Sequence, residues 1–340
     1  MISNPFVSVL MPCYNSEAFL AEAIESILNQ TFSRFEFLII DDGSSDKTRK
    51  IISMYAHKDP RVLPFFYSDN CGIIERLNFG LSISRGRYIA RMDSDDICHP
   101  ERLERQVQYM ERNINVGVLS TEIECIDEYG FQKPNWTVSI PSKMYSLALL
   151  FRNNICHPSV MFRRRVLNQI QFKYENDFYT AEDYKAWIKL ADVTQIHCLE
   201  KRLLKQRFHQ NNVSVAQKSK QIITATKIIN EGLKSFGLNI SSDKYYFHSN
   251  LITFKKRSIY EVNANSIWLI RLLIANIKVE RINSSLMLSF VKYMISGYVK
   301  NTKLNFPQTI VLMFWWVGVY LVLSVLYLYS NLKKRKRCPQ

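Results

Sequence analysis

Short apolar runs alternate with amphipathic stripes through the first third of the chain. Val7-Ser8-Val9-Leu10-Met11 reads as a strand that stops at Pro12. Phe37-Leu38-Ile39-Ile40 is apolar throughout, as a strand covered on both faces should be. Val62 to Tyr67, Tyr88-Ile89-Ala90 and Val116 to Ser120 supply three more strands. Between them, helical spacing puts Phe19, Leu20, Ala23, Ile24, Ile27 and Leu28 on one face, behind a plausible N-cap at Ser16. Further helices are predicted up to about His57, from about Gly72 to Ser84, and from Pro100, the last burying Leu103, Val107 and Met110. This βαβαβ alternation predicts an α/β fold: a doubly wound, mainly parallel sheet flanked by helices.

The pattern changes after about residue 215. Ile222 to Phe236 and Tyr245 to Tyr260 read as helices, and Ile267 to Ala275 as an amphipathic piece suited to a core or to a membrane interface. Thr309 to Tyr329 carries no charge, and about 21 such residues suffice to cross a hydrocarbon layer of ~30 Å. The expected division is an α/β domain over 1–215, split near 125, and a helical, membrane-interfacial region over 216–304. A transmembrane or membrane-inserted helix with a basic tail should follow over 305–340.

Charge sharpens that division. Lys and Arg number 45 against 30 Asp and Glu, a net +15 that suits nucleic acid, a membrane surface or an acidic substrate. Much of the excess lies after residue 200 and ends in Lys333-Lys334-Arg335-Lys336-Arg337 beside the apolar stretch, which favours a membrane and not nucleic acid. The positive-inside tendency keeps that tail cytoplasmic. A second pass from Ile282 to Val299, or insertion into one leaflet, would then keep the N-terminal domain on the same side. Seven scattered cysteines without a CxxC argue against disulfides or zinc and fit a reducing cytosol. Met1 to Leu10, broken by Asn4 and Pro5, does not read as a signal peptide.

The candidate chemistry is acidic. Arg91-Met92-Asp93-Ser94-Asp95-Asp96 follows the fourth strand directly, and Asp41-Asp42 ends the second. Parallel strands bring both clusters to the carboxyl edge of the sheet, where open α/β folds keep their ligands. Such charge on one loop calls for a hard cation, and closely spaced Asp oxygens suit Mn²⁺ or Mg²⁺; a solvated acidic turn is the plainer reading. Met11-Pro12-Cys13-Tyr14-Asn15-Ser16 stands where a GxGxxG would be needed, and GxxxxGK[ST] is absent. Acids that accept from a base or ribose, with a metal over a diphosphate, describe a nucleotide-sugar site.

In order and spacing, several segments resemble the family 2 glycosyltransferases: Val7 to Asn15, Ser26 to Phe32, Glu36 to Asp46, Asn70-Cys71-Gly72 with Leu77-Asn78, and Gly86 to Asp96 with Pro100 and Arg102-Leu103. The resemblance covers roughly residues 5 to 212 and implies the GT-A fold, a nucleotide-activated sugar donor and inversion at the anomeric carbon. It divides the first domain into a donor half over 1–125 and an acceptor half over 126–215. Pro12, Tyr14, Asn15, Asp41, Asp42, Asn70, Gly72, Arg76, Asp93 and Ser94 are expected on the donor, with Asp41 toward the nucleobase.

Later segments fit the same family. Asn154 to Arg164 resembles the strand before the acceptor side. Thr180-Ala181-Glu182-Asp183-Tyr184-Lys185-Ala186-Trp187 resembles its acidic acceptor motif, which assigns Asp183 as general base. Read from the residues alone, Glu182 and Asp183 fall in a helix first turn, where an anion is favoured and simple charge capping is also common. Gln206 to Ser214 resembles the R-x-H segment over the diphosphate, so metal ligands are expected among Asp95, Asp93 and His209. Glu182, His157, Trp187 and Arg207 are expected on the acceptor side. Phe172-Lys173-Tyr174 departs from the Gly-Gly-Tyr often found in relatives, which bears on acceptor identity.

The implied setting is the cytoplasmic face of a bacterial inner membrane, with a polyprenyl-linked glycan as acceptor in O-antigen, capsule or exopolysaccharide synthesis. A membrane adaptor, a nucleotide-binding protein and a sugar-phosphate nucleotidyltransferase remain as alternatives. The last needs a glycine-rich basic loop after the first strand, which Pro12 to Ser16 does not provide.

Overall fold

The computed structural model describes residues 4–137, 140–141, 144–210, 212, 216–234, 236–252, 259–279 and 284–300. The chain divides into two units: Met1–Leu149 with Asn153–Ala225, and Leu150–Arg152 with Thr226–Gln340.

The first unit is built on one sheet. Its strands are β1 (Val7–Cys13), β2 (Phe35–Asp41), β3 (Val62–Phe66), β4 (Tyr88–Arg91), β5 (Ile97–Cys98), β6 (Val116–Asp127), β7 (Gln132–Lys133), β8 (Met161–Arg163) and β9 (Gln195–Phe208). They lie in the order β3-β2-β1-β4-β8-β6-β9-β5, with β7 paired to β6. The β3-β2-β1-β4 half is parallel throughout, as the alternating pattern predicts. The other half keeps the sheet mainly parallel, since β9 runs parallel to β6 along its length, but adds short antiparallel strands. Short β8 runs antiparallel to both β4 and β6, and β5 and β7 are antiparallel additions. The sheet is therefore mixed, because β6 does not pair with β4 directly; β8 arrives from far along the chain and separates them.

Every residue of β1 and β2 is buried. Val9, Met11, Phe37 and Ile39 share a core with Leu20, Ala23, Ile24 and Ile27 of α1 (Leu20–Leu28). Each such side chain withdrawn from water contributes about 1.5–3 kcal/mol before entropy is counted. α2 (Thr48–Lys58), α3 (Ile73–Ile83) and α4 (Arg102–Arg112) complete the crossovers. α3 packs so closely that a methyl on Gly80 would meet the Leu10 side chain at 2.1 Å. α5 (Tyr145–Ala148), α6 (Arg164–Gln169) and α7 (Glu182–Ala191) follow in the second half. Helix α1 starts later than expected. Its N-cap position is Phe19, without a side-chain cap. The Ser16 hydroxyl lies 2.8 Å from that of Ser94, so it ties the first loop to the acidic loop instead.

A buried polar chain fixes the amino end of the sheet. Glu36 accepts from the Ser8 hydroxyl (2.6 Å), the Arg85 N–H (2.8 Å) and the Arg85 guanidinium, while the Gly86 N–H donates to Ser8 Oγ (2.8 Å). Gly86 must be glycine for space: a Cβ there would sit 2.4 Å from the Ser8 nitrogen and 2.7 Å from the Val7 carbonyl carbon.

The helical unit is described on its own. α8 (Lys218–Lys234), in which the division falls, is followed by α9 (Tyr245–Asn250), α10 (Ile259–Val279) and α11 (Ser284–Lys300). Leu269, Leu272 and Leu273 of α10 and Met287, Phe290, Val291 and Met294 of α11 are buried. Phe151 stacks against His248 (5.2 Å) and Phe290 (5.5 Å). The Trp268 indole N–H donates to His248 Nδ1 at 3.1 Å, so Nε2 donates to the Leu150 carbonyl at 2.8 Å. Burial keeps this imidazole neutral, its pKa pushed down to about 4. The helix expected over 245–260 is shorter, ending at Asn250. No helix among the described residues is long and apolar enough to cross a membrane, α11 on the suggested second pass included. The stretch 309–329 lies outside the described residues.

Gly86→Ala should destabilise the protein by about 2 kcal/mol or more, because the methyl meets backbone that cannot swing aside. An unchanged Tm for that variant would contradict the packing described.

Candidate functional site

The acidic loop leaves β4 with its charges held apart by specific partners. One oxygen from each of Asp93, Asp95 and Asp96 can be chosen so that all three lie within 4.8 Å of one another. Asp93 pairs with the buried guanidinium of Arg91. Asp95 Oδ2 accepts from His209 Nε2 (2.9 Å) and from the Asn212 amide (3.1 Å). Asp96 is fully buried; its Oδ1 accepts the Arg207 backbone N–H at 2.9 Å, and its Oδ2 has no hydrogen-bond partner among the described residues. Burial and the neighbouring acids push Asp96 well above the usual carboxylate range. Burial also raises Asp93, to about 6, against the pull of Arg91. A hard divalent ion fits this donor set: oxygen ligands, an imidazole, and a buried carboxylate oxygen without a proton donor.

The other half of the site comes from the first turn of α7. Asp183 accepts from the Asn153 amide (2.7 Å) and from the Tyr184 N–H (2.6 Å), and burial raises its pKa. Glu182 is pushed up to about 7 by burial and by Asp183 beside it. Asp183 in turn adds to the rise at Asp93, which puts the α7 acids within electrostatic reach of the strand-end loop. Arg91 acts in the opposite direction on Asp93, Asp96, Glu182 and Asp183 alike. Its Nε and Nη1 have no partner among the described residues. Just before the α7 acids, Thr180 holds φ +80°, a strained value for a β-branched residue, and its buried hydroxyl is also without a partner among the described residues.

Several residues expected on the acceptor side are walls. Trp187 is fully buried, stacked on Phe162 (5.8 Å) and edge-on to His157 (5.5 Å), so it belongs to the core and is corrected as such. His157 is buried, kept neutral by burial, with its Nε2 2.8 Å from the Tyr174 hydroxyl. Arg207 is buried too. It donates to the carbonyls of Asp95 (3.0 Å), Asp127 (3.4 Å) and Glu128 (3.1 Å) and pairs with Glu22 (2.6 Å), so its guanidinium is occupied in holding the acidic loop and the turn after β6.

Of the residues expected on the donor, Pro12, Tyr14, Asn15, Asp41 and Asp42 lie at the carboxyl ends of β1 and β2, Asn70, Gly72 and Arg76 at the start of α3, and Asp93 and Ser94 after β4. Asp42 accepts from the N–H groups of Cys71 (3.0 Å) and Gly72 (2.8 Å) and pairs with Arg76, whose guanidinium lies 3.6 Å from the Tyr67 ring centre. Gly72 takes φ +89°, which glycine adopts without strain. Asp41 has no exposed surface; the Ser44 N–H (3.3 Å) and Arg49 (2.7 Å) occupy its oxygens, which corrects the expectation that it reaches a nucleobase itself. Asn15, at φ +47°, accepts from the Ser45 N–H at 2.9 Å. Tyr14 is half exposed and Asn70 exposed, while Pro12 is buried within β1. Sequence reasoning missed Arg49, Asn153 and Asn212. A lone Asn or Arg carries no spacing signal, and only the fold brings these to their carboxylates.

Residues 8–171 match the family described as Glycosyl transferase family 2. An uncharacterized glycosyltransferase of Haemophilus influenzae is 33% identical over 254 residues, covering 72% of this chain and 78% of the relative. Chondroitin synthase of Escherichia coli is 30% identical over 237 residues, 69% of this chain but 33% of that one. Among solved structures, a mannosyltransferase of Pyrobaculum calidifontis in complex with GDP-Man and Mn²⁺ superposes with a TM-score of 0.53 at 16% identity, over 96% of this chain and 84% of that one. That likeness speaks to the fold, and the mixed, helix-flanked sheet fits the GT-A architecture.

The Glu182 shift has a testable sign. Its folded-state pKa of about 7 lies above the ordinary 4.5, so the contribution of its neutral form is complete below 4.5 and is lost as pH rises through 7. Glu182→Gln stays neutral at every pH. The Tm of this variant, relative to the unaltered protein, should rise by a few degrees from about pH 5 to about pH 8. A flat difference would contradict the raised pKa of Glu182.

Proposed function

The chain belongs to glycosyl transferase family 2, and we propose that it moves a sugar from a nucleoside-diphosphate donor to a hydroxyl of a glycan acceptor, inverting the anomeric carbon. One observation supports this reading above the others: Asp93, Asp95 and Asp96 bring carboxylate oxygens within 4.8 Å of one another directly after β4, and Arg91 of the same strand end acts on the α7 acids Glu182 and Asp183 as well.

Asp183 is the base. Its carboxylate takes the proton of the acceptor hydroxyl as that oxygen attacks the anomeric carbon from the face opposite the leaving diphosphate. Asn153 holds one carboxylate oxygen, and the start of α7 favours the anion. One displacement with one base inverts the centre. Asp95 and Asp93, with His209, are the residues that would hold Mn²⁺ or Mg²⁺. When bound, such an ion neutralises the diphosphate and stabilises the charge growing on the leaving group. Arg207 holds the loop beneath, through the Asp95 carbonyl and the Asp96 carboxylate. On the donor side, Tyr14, Asn15, Asn70 and Ser94 line the rim, and Asp42 with Arg76 shapes the Gly72 turn. The nucleobase meets Arg49 and Tyr14, with buried Asp41 fixing Arg49 from behind. Glu182, His157 and Tyr174 bound the acceptor side.

The acceptor is a lipid-linked glycan at the cytoplasmic face of a bacterial inner membrane, in the assembly of a surface polysaccharide. The basic, apolar C-terminal sequence and the similarity to chondroitin synthase support that setting. Partners are thus the donor, the glycan and the membrane, with no nucleic acid.

The test is a hydrolysis and transfer screen over the common nucleotide sugars with Mn²⁺ and Mg²⁺. At least one donor should turn over with metal and not with EDTA; no turnover of any donor would contradict the reading. With the active donor, Asp183→Asn should lower transfer by about a hundredfold to ten-thousandfold while donor affinity is retained. Ordinary turnover in that variant would remove Asp183 as the base. His209→Ala should raise the Mn²⁺ concentration needed for half-maximal rate by about tenfold, and an unchanged requirement would take His209 out of the metal set.

A further inference from the structure

Tyr129 and Phe131, at the tip of the β6–β7 hairpin, are 77% and 72% exposed, a large apolar pair to leave in water. The hairpin that presents them is pinned. Asp127 Oδ1 accepts from the N–H groups of Tyr129 (3.0 Å) and Phe131 (2.9 Å), and the Gly130 N–H donates to the Asp127 carbonyl (3.1 Å). Gly130, at φ +90°, completes the turn. From below, Arg207 Nη1 donates to the Asp127 and Glu128 carbonyls. Aromatic side chains on a rigid turn lose little freedom when a ligand covers them.

Beside the hairpin lies a cavity of about 360 Å³, within the size range of small-ligand sites. Its walls include Phe19, Glu22, Glu128, Tyr129, Lys205 and Arg207. Two carboxylates face two cations, so the lining is balanced, and Arg207 is already engaged by Glu22 and three carbonyls. That chemistry suits neither a phosphate nor a bare cation. Phe19 is already covered by the Arg207 guanidinium at 4.6 Å, which leaves the exposed Tyr129 ring as the stacking face; that face, combined with carboxylates that accept hydrogen bonds, suits an uncharged polyol ring, with C–H groups on one side and hydroxyl donors around its edge.

We propose that this cavity is a glycan subsite, which binds a sugar ring of the acceptor chain remote from the hydroxyl that reacts. The proposal rests on the reading of the protein as a glycosyltransferase with a glycan acceptor. Through Arg207 the subsite leans on the loop that carries Asp95 and Asp96, so a bound chain is anchored against the same element that holds the donor.

The test is saturation-transfer NMR on the full chain, with the methyl glycosides of glucose, galactose, mannose and N-acetylglucosamine as probes. Nucleoside diphosphate and Mn²⁺ are kept in excess to fill the donor site. At least one glycoside should receive saturation, and Tyr129→Ala should weaken its binding by about tenfold. Glu128→Gln should weaken it less, and donor hydrolysis without acceptor should stay within about twofold of the unaltered protein in both variants. Absence of saturation for all four probes, equal binding in Tyr129→Ala, or loss of donor hydrolysis in that variant would each overturn the subsite. If glycosides bind through Tyr129 but no nucleotide sugar is hydrolysed, the sugar site is supported and the proposed reaction fails.

Discussion

Four carboxyl groups share the electrostatic reach of one buried guanidinium, and that imbalance governs the first unit. Arg91 pulls down Asp93, Asp96, Glu182 and Asp183, yet burial still leaves each of them above its ordinary pKa. A protein interior tolerates such a cluster only when protons, hydrogen bonds or another cation balance it. Burial and neighbouring acids favour the neutral forms of Asp96 and Glu182. Hydrogen bonds from Asn153, His209 and Asn212 offset charge elsewhere. The charge still unbalanced is the reason to propose a divalent ion at Asp93 and Asp95.

The fold exists to hold that cluster in place. Arg91 closes β4, and its carbonyl is held by the buried guanidinium of Arg102 at 2.8 Å, which also reaches Val160 beside β8 at 3.3 Å. Arg207, at the far end of β9, fixes the backbone of Asp95 and one oxygen of Asp96. Ser16 ties the loop after β1 to Ser94. Elements from four distant parts of the sequence thus converge on six residues. The mixed half of the sheet matters here: antiparallel β8 lies between β4 and β6, which lets the chain after β8 bring the α7 acids back to the β4 edge.

The first half of this arrangement was legible because it is written in local pattern. Apolar runs such as Phe37 to Ile40, with acids directly after them, specify both a buried parallel strand and what its carboxyl end presents. Asp183 was legible through its motif and its place in a helix first turn. The second half was not, because three-residue β8 carries too little periodicity to declare its direction. The resemblance puts Trp187 on the acceptor side, whereas helical spacing alone places it with Tyr184 on the core face, and the core takes it. Asp41 looked available at a strand end; its oxygens are taken by the Ser44 N–H and by Arg49, in the first turn of α2, which no spacing rule links to it. Asn153 and Asn212, each a hydrogen-bond donor to a carboxylate of the site, are single amides whose importance exists only in three dimensions.

The most direct measurement is an electron paramagnetic resonance titration of Mn²⁺ into the protein, with and without nucleoside diphosphate. The account predicts one Mn²⁺ site whose affinity rises by about tenfold when the nucleotide is present, because acids and diphosphate share the same ion. Nucleoside diphosphate that binds equally well in EDTA, with no saturable Mn²⁺ site, would contradict it.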